Sequence, residues 1–509
     1  MISLVDPGDV FYFLLCSFGV FFTIKQAFVQ IRRRKIRKRL GLFKAKSLPL
    51  LDPFFGTDLS VTIFNQIRRS ELLEGLDKRF LRFGNTHSFQ LGLTSIVATC
   101  DPDNIKTITM NAIDFPVGDV RRKGLSILHG QGIFAVEGSD WHRSRSALRP
   151  SFTKGKHDDV AVLETHFQDM LNQIALSNYS VDMQDVYHRF TMNTATQYFF
   201  GTSPRESGQG RQIERLLESI DYVNQTVYLA LVFGSHSPIS LWRWWQTKKK
   251  MRVIHAFVDQ HVKRVLSPDF KSYEVNNRRY IFLDELSKSE SGKDPIFLRD
   301  QVLTSMLGGK DTTASLLTHV TFELARNPII WAKLRVEIGK LDLELVDMKT
   351  IRNLKYVRFC LLEALRLYTV VPINMRSASA DTMLPVGGGV DGNNPIQIPK
   401  NTILWLGMFS MHRRKDIWGD DADQFNPDRW ENLDPGPAFV PFGSGPRTCL
   451  GQQFAFNEAS FALTRLVQTF HELEPLSDAP WKEKVAITLG SGNGCKIRLH
   501  RYTSSEFEQ

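Results

Sequence analysis

The stretch PFGSGPRTCLG, residues 441–451, places one cysteine, Cys449, among three glycines and an arginine. The other four cysteines, Cys16, Cys100, Cys360 and Cys495, are far from it in sequence, and no C-x-x-C occurs. That excludes the spacing of a zinc finger, an iron–sulfur site or a redox dithiol. It also argues against a disulfide framework and for a reducing compartment. A lone cysteine in such a loop is either a buried structural thiol or a soft thiolate ligand for iron. The second role needs a tight turn and a backbone that comes close to something flat, and Gly443 and Gly445 permit both. It also needs a stabilised negative sulfur. Residues 450–470, LGQQFAFNEASFALTRLVQTF, have helical spacing. Cys449 is therefore expected at a helix N-terminus, where the dipole lowers a thiol pKa. Arg447, two residues earlier, is placed to pair with a carboxylate on a bound group.

Phe442, Gly443, Gly445, Arg447, Cys449 and Gly451 reproduce the pattern F-G-x-G-x-R-x-C-x-G. In this the chain resembles the cytochromes P-450, over about residues 45–500. The resemblance implies haem b, iron protoporphyrin IX, with Cys449 as axial thiolate, an electron-rich ligand for the iron. It implies cofactor-binding roles for Phe442 and Arg447.

Other motifs follow in the expected order. Glu363 and Arg366, in EALR, lie on one face of a helical run. Such a pair on a surface is worth a few tenths of a kcal/mol. The resemblance instead implies a buried structural lock with Arg429 of FNPDRW. In GGKDTTASLL, residues 308–317, two glycines interrupt a helical pattern at about 1 kcal/mol each. Something is expected to approach that backbone. Thr312 is placed to bond the carbonyl of Gly308. By resemblance Asp311 and Thr312 are the catalytic pair that delivers protons to oxygen at the haem. Trp141 and Arg145, at i and i+4 in WHRSR, and Arg376, in VPINMRSAS, are the further haem-binding candidates that it implies. The thirteen histidines show no ligand spacing and are read as ordinary.

The 42% apolar composition suits a large core, with 36 phenylalanines. Residues 1–39 hold eight Lys/Arg against two Asp, so six of the ten net positive charges are local. With no basic, aromatic-interleaved stripe in the body, nucleic acid is not an expected partner. VFYFLLCSFGVFFTI, Val10 to Ile24, is uncharged and about 22 Å long as a helix. Continued to Ile31 past a snorkelling Lys25, it spans a bilayer. RRRKIRKR, residues 32–39, sets the body on the cytosolic side. A signal peptide would carry its positive charges first. The expected organisation is an anchor at 1–39, a link at 40–58 and one catalytic domain at 59–509, mainly α with a small β part. Residues 317–338 and 160–176 show helical periodicity. HSFQLGLTSIVATC reads as strands, and TMLPVGGGVDGNNPIQIP as a glycine-rich hairpin.

GQGIFAVEGSDWHRSRSALRPSF, FELARNPIIWAKLR and CLGQQFAFNEAS are similar to the fungal branch that hydroxylates alkanes and fatty acids. Gly308, Ser444 and Val386 depart from that branch. The resemblance implies a single-pass endoplasmic-reticulum monooxygenase with an apolar small-molecule substrate in contact with membrane lipid. Its electrons would come from NADPH–cytochrome P-450 reductase, since no dinucleotide motif is present. A fatty-acyl or alkane chain and a fungal polyketide, terpenoid or peptide both stay open as substrate. A haem-thiolate isomerase or dehydratase needs no acid–alcohol pair. A non-catalytic haem sensor is the remaining alternative.

Overall fold

The computed structural model describes residue 28 and residues 30–153, 159–202, 210–235, 237–268, 280–341 and 347–502. The fold is predominantly helical with a small sheet part. Its axis is a 32-residue helix, Pro295–Arg326, hereafter the central helix. Asp294 caps it by accepting from the Ile296 N–H at 2.9 Å, and Pro295 occupies the first helical position. The periodic run 317–338 is divided between this helix and Pro328–Ile338. Pro328 causes the break, because it lacks an N–H and disfavours helical geometry at Asn327.

Three apolar clusters surround the axis. One packs the C-terminal half of the central helix against Lys355–Leu367 and Gln452–Thr469. A second packs its N-terminal half against Met183–Phe200, Gly210–Phe233 and Pro238–Leu266. The third belongs to a five-stranded sheet ordered Lys46–Ser47, Thr86–Leu91, Thr94–Thr99, Ile403–Gly407, Ile373–Ser377. The register opposes Arg376 to Leu404. The glycine-rich segment is the hairpin Thr382–Gly388/Asn394–Ile398.

The expected membrane span lies almost wholly outside the described residues. Among the described residues no helix is long and apolar enough to cross a membrane. Residues 30–39 are helical, and Arg33 forks onto Asp381, beside the hairpin, at 2.9 and 3.2 Å. Residues 46–47 of the expected link form the parallel edge strand of the sheet, and Leu48 is buried.

Candidate active site

Between Asp300 and Phe322 every residue of the central helix is buried except Ser305, Gly308, Gly309 and Thr312. These lie three, one and three residues apart, so they form one stripe of one helix face. An axial helix with a reachable stripe borders an internal space. Thr312 Oγ1 donates to the Gly308 carbonyl at 2.5 Å, as its spacing predicted. A Cβ on Gly308 would sit 3.3 Å from Phe134 Cζ, and one on Gly309 3.7 Å from Phe454.

Phe454 stands in the first turn of Gln452–Thr469, the helix that follows the cysteine loop. The loop and the stripe therefore share a wall. Within the loop, the Cys449 N–H donates to the Phe442 carbonyl at 3.0 Å. Gly443 and Gly445 both adopt φ of 72°, which favours glycine. Their reasons differ. Nothing lies within 4 Å of where a Gly443 Cβ would point, whereas a Gly445 Cβ would fall 2.3 Å from the Thr109 carbonyl oxygen. The close backbone approach at Gly445 is thus to the Pro102–Met110 helix.

Cys100, Cys360 and Cys495 are buried thiols; Cys449 is free and exposed. Yet burial pushes the Cys449 pKa up, and the opposing Gly451 N–H and Arg145 do not overcome it. The expected lowering by the helix end is therefore outweighed by desolvation. The Cys449 thiol is thus reachable while the surrounding fold desolvates it.

Four arginines gather beside the loop. Arg447 Nη2 donates to the Val136 carbonyl at 2.8 Å, and Arg145 Nη1 to the Thr448 carbonyl at 3.1 Å. Their guanidinium carbons lie 4.7 and 5.5 Å from the centroid of the buried Trp141 ring. Arg376 Nη1 donates to the Met375 carbonyl at 2.9 Å. Arg121, on the helix Asp119–His129, donates from Nη1 to Asn374 Oδ1 at 2.7 Å. Burial, then Arg376 and Arg447, hold the Arg121 pKa well below the usual arginine value. Burial and the neighbouring Arg376 bring Arg447 to about 10. Glu137 is the acid that opposes these shifts, and its carboxylate already accepts from the Gly118 N–H. Among the described residues none of the four arginines has an ion pair with a carboxylate. The cluster is short of negative charge, as a site for a dianionic edge should be. With the thiol and the walled space, these residues fit a haem and its two propionates.

Arg121 was not among the sequence candidates. In DVRRKG it adjoins Arg122, which is exposed and paired with Asp119 at 2.6 Å. Only helix phase separates the two: Arg121 shares its face with the buried Gly124, Leu125 and Leu128.

On the central helix Asp311 points away from the stripe. Lys310 Nζ pairs with its Oδ1, His188 Nδ1 lies 3.6 Å from the same oxygen, and Asn224 donates to Oδ2 at 3.3 Å. Burial raises the Asp311 pKa, but Lys310, His188 and Asn224 outweigh it and hold the group below its ordinary value. Glu363 and Arg366 are buried and joined, and the largely covered Arg429 pairs with the same Glu363. Arg366 also donates to the His412 carbonyl, and His412 Nε2 accepts from the Val440 N–H at 3.1 Å, just ahead of the cysteine loop.

The chain matches the family described as cytochrome P450 over residues 53–491. It is 34% identical to cytochrome P450 monooxygenase fsdH of Fusarium heterosporum, over 89% of this chain and 82% of that one. It is 35% identical to cytochrome P450 monooxygenase himC of Aspergillus japonicus, covering 92% and 85%. Cytochrome P450 52A12 of Debaryomyces hansenii is also 34% identical, covering 97% of this chain and 99% of its own. The chain belongs to the cytochrome P450 family of haem-dependent monooxygenases.

Proposed function

We propose that this monooxygenase hydroxylates a long aliphatic chain at the membrane surface, with Cys449 as the haem ligand. The observation that carries the site assignment is the reachable, desolvated thiol of Cys449 beside the accessible stripe of the central helix. Arg121, Arg376 and Arg447 hold the carboxylate edge of the haem, with Arg145 bracing the loop through Thr448. When bound, the haem supplies O2 activation and electron transfer. Thr312 offers a hydroxyl fixed by the Gly308 carbonyl, and Asp311 supplies the proton from the buried side. Electrons come from NADPH through cytochrome P-450 reductase. The Glu363–Arg366–Arg429 lock keeps the loop in place through His412.

An aliphatic substrate is supported by the apolar wall: Phe134 is 39% exposed over Gly308. A lipid-facing position is supported by Phe54, 77% exposed, and Trp242, 81% exposed. The Phe64 and Phe233 rings, 6.3 Å apart, join the two surface regions concerned. An N-terminal span in the endoplasmic reticulum membrane completes this reading.

The test is spectroscopic. The reduced carbon-monoxide complex is expected to show the red-shifted Soret band of a thiolate-ligated haem, and Cys449→His to lose it. A wild-type spectrum like that of a histidine-ligated globin overturns the assignment. Hexadecanoate and hexadecane are expected to give a substrate-type spectral shift at micromolar concentration. A shift with aromatic polyketides alone favours the secondary-metabolite substrate.

A further inference from the structure

Asp311 is buried, so a proton that leaves through Thr312 must be replaced from somewhere. His188 lies on the helix Met183–Phe200, one turn after the exposed Asp185. Its side chain is about a third exposed, yet its Nδ1 is sealed from solvent and has no hydrogen-bond partner. That nitrogen lies 3.6 Å from Asp311 Oδ1, too far for a hydrogen bond and within reach of a small ring rotation. One ring thus joins the surface to the buried carboxylate.

We propose that His188 is the residue through which Asp311 is reprotonated. The step balances in protons and moves no electrons. His188 Nε2 takes a proton from solvent while Nδ1 releases one to Asp311 Oδ1, and the imidazole is left as the other tautomer. Exchange with solvent restores the first: with the ring swung outward, Nδ1 takes a proton from water and Nε2 releases one. Lys310 pairs with the same oxygen, so it competes with His188 and must withdraw for the transfer; Asn224 holds Oδ2 and keeps the carboxylate oriented. The charged groups acting on His188 are Lys310 and Asp311 of the central helix, Lys484 of the strand Glu483–Val485, and Asp182 on its own side. Asp221 of the helix Gly210–Phe233 acts on the same Lys310–Asp311 pair. Burial and Lys310 keep His188 neutral at physiological pH, with a pKa lowered to about 4, which suits a tautomeric shuttle. His188 acts through Asp311 and is a positioning residue for proton delivery.

This rests on the proposed role of Asp311, and the experiment separates the two. The holoenzyme, its reductase and NADPH are assayed without substrate, reading the fraction of electrons recovered as hydrogen peroxide. His188→Gln keeps a polar side chain but cannot shuttle. It is expected to raise that fraction severalfold and to increase the solvent isotope effect on NADPH oxidation. Asp311→Asn is expected to do more, and the double variant to match Asp311→Asn, because the two groups act in series. A second readout needs no turnover: in the ferric protein, the carboxylic C=O infrared band of Asp311 appears at higher pH in His188→Leu than in wild type. Normal coupling in His188→Gln beside an uncoupled Asp311→Asn overturns the His188 proposal alone. Normal coupling in both removes the Asp311 role and this inference with it. An additive double variant also overturns the series arrangement.

Discussion

Two groups of buried or half-buried arginines stand within this fold, and they are built to opposite plans. Arg366 and Arg429 share Glu363: Arg366 forks onto it at 2.7 and 2.9 Å, and Arg429 reaches it at 2.9 Å. Their remaining donors go to the carbonyls of His412, Ala422, Gln424 and Trp418 and to Asp421. Each guanidinium is paired by this chain alone. Arg121, Arg376 and Arg447 have carbonyls and an amide oxygen instead; Arg376 and Arg447 depress Arg121, and Arg376 depresses Arg447. A buried charge paired internally holds a fold together, whereas one left without a counter-charge is stable only when a ligand brings it.

The largest effect expected from this contrast is at Glu363. Glu363→Ala leaves two buried guanidinium groups without their carboxylate, at about 3–5 kcal/mol. Soluble yield and melting temperature should collapse, and haem incorporation with them. A variant that melts within a degree or two of wild type would break the comparison at its structural end.

A buried carboxylate with no arginine sharpens it. Glu458, on the helix after the cysteine loop, has the Thr194 hydroxyl as its partner, and burial raises its pKa to about 8. The folded state therefore binds a proton that the unfolded chain releases near 4.5. Stability conferred by the neutral acid is fully present below that pH and falls as pH rises toward 8, by at most about 1.4 kcal/mol per pH unit. Glu458→Gln should flatten the pH dependence of the melting temperature across this window. An unchanged slope would mean that the acid ionises inside the fold without an arginine beside it.

The sequence carried this contrast only in part. The lock was legible because E-x-x-R on one helix face and a downstream arginine form a fixed pattern. Cys449, Arg447, Trp141 and Arg145 were singled out by the family resemblance of short motifs, whereas the Thr312–Gly308 bond follows from a four-residue step. Arg121 and His188 were not, since each acquires its meaning from a partner over a hundred residues away: Asn374 for one, Asp311 for the other. The rise in the Cys449 pKa was hidden for a related reason. A helix end is visible in sequence, but the desolvation that outweighs it comes from the whole fold. Pro328 was visible, yet the apolar periodicity runs through it, and only the backbone geometry shows two helices.

The smallest expected effect tests the other half of the contrast, and its sign matters more than its size. Arg376→Met removes a buried charge with no carboxylate partner. In haem-free protein that substitution relieves desolvation and the repulsion on Arg121 and Arg447, so the melting temperature should hold or rise, by about 1 kcal/mol in stability. In the holoprotein it removes a counter-charge for the cofactor, so haem should pass to excess apomyoglobin about tenfold faster, or about 1.4 kcal/mol. Opposite signs in the two states mark a ligand cradle. Destabilisation of the haem-free chain would make Arg376 a structural residue like Arg366 and erase the distinction.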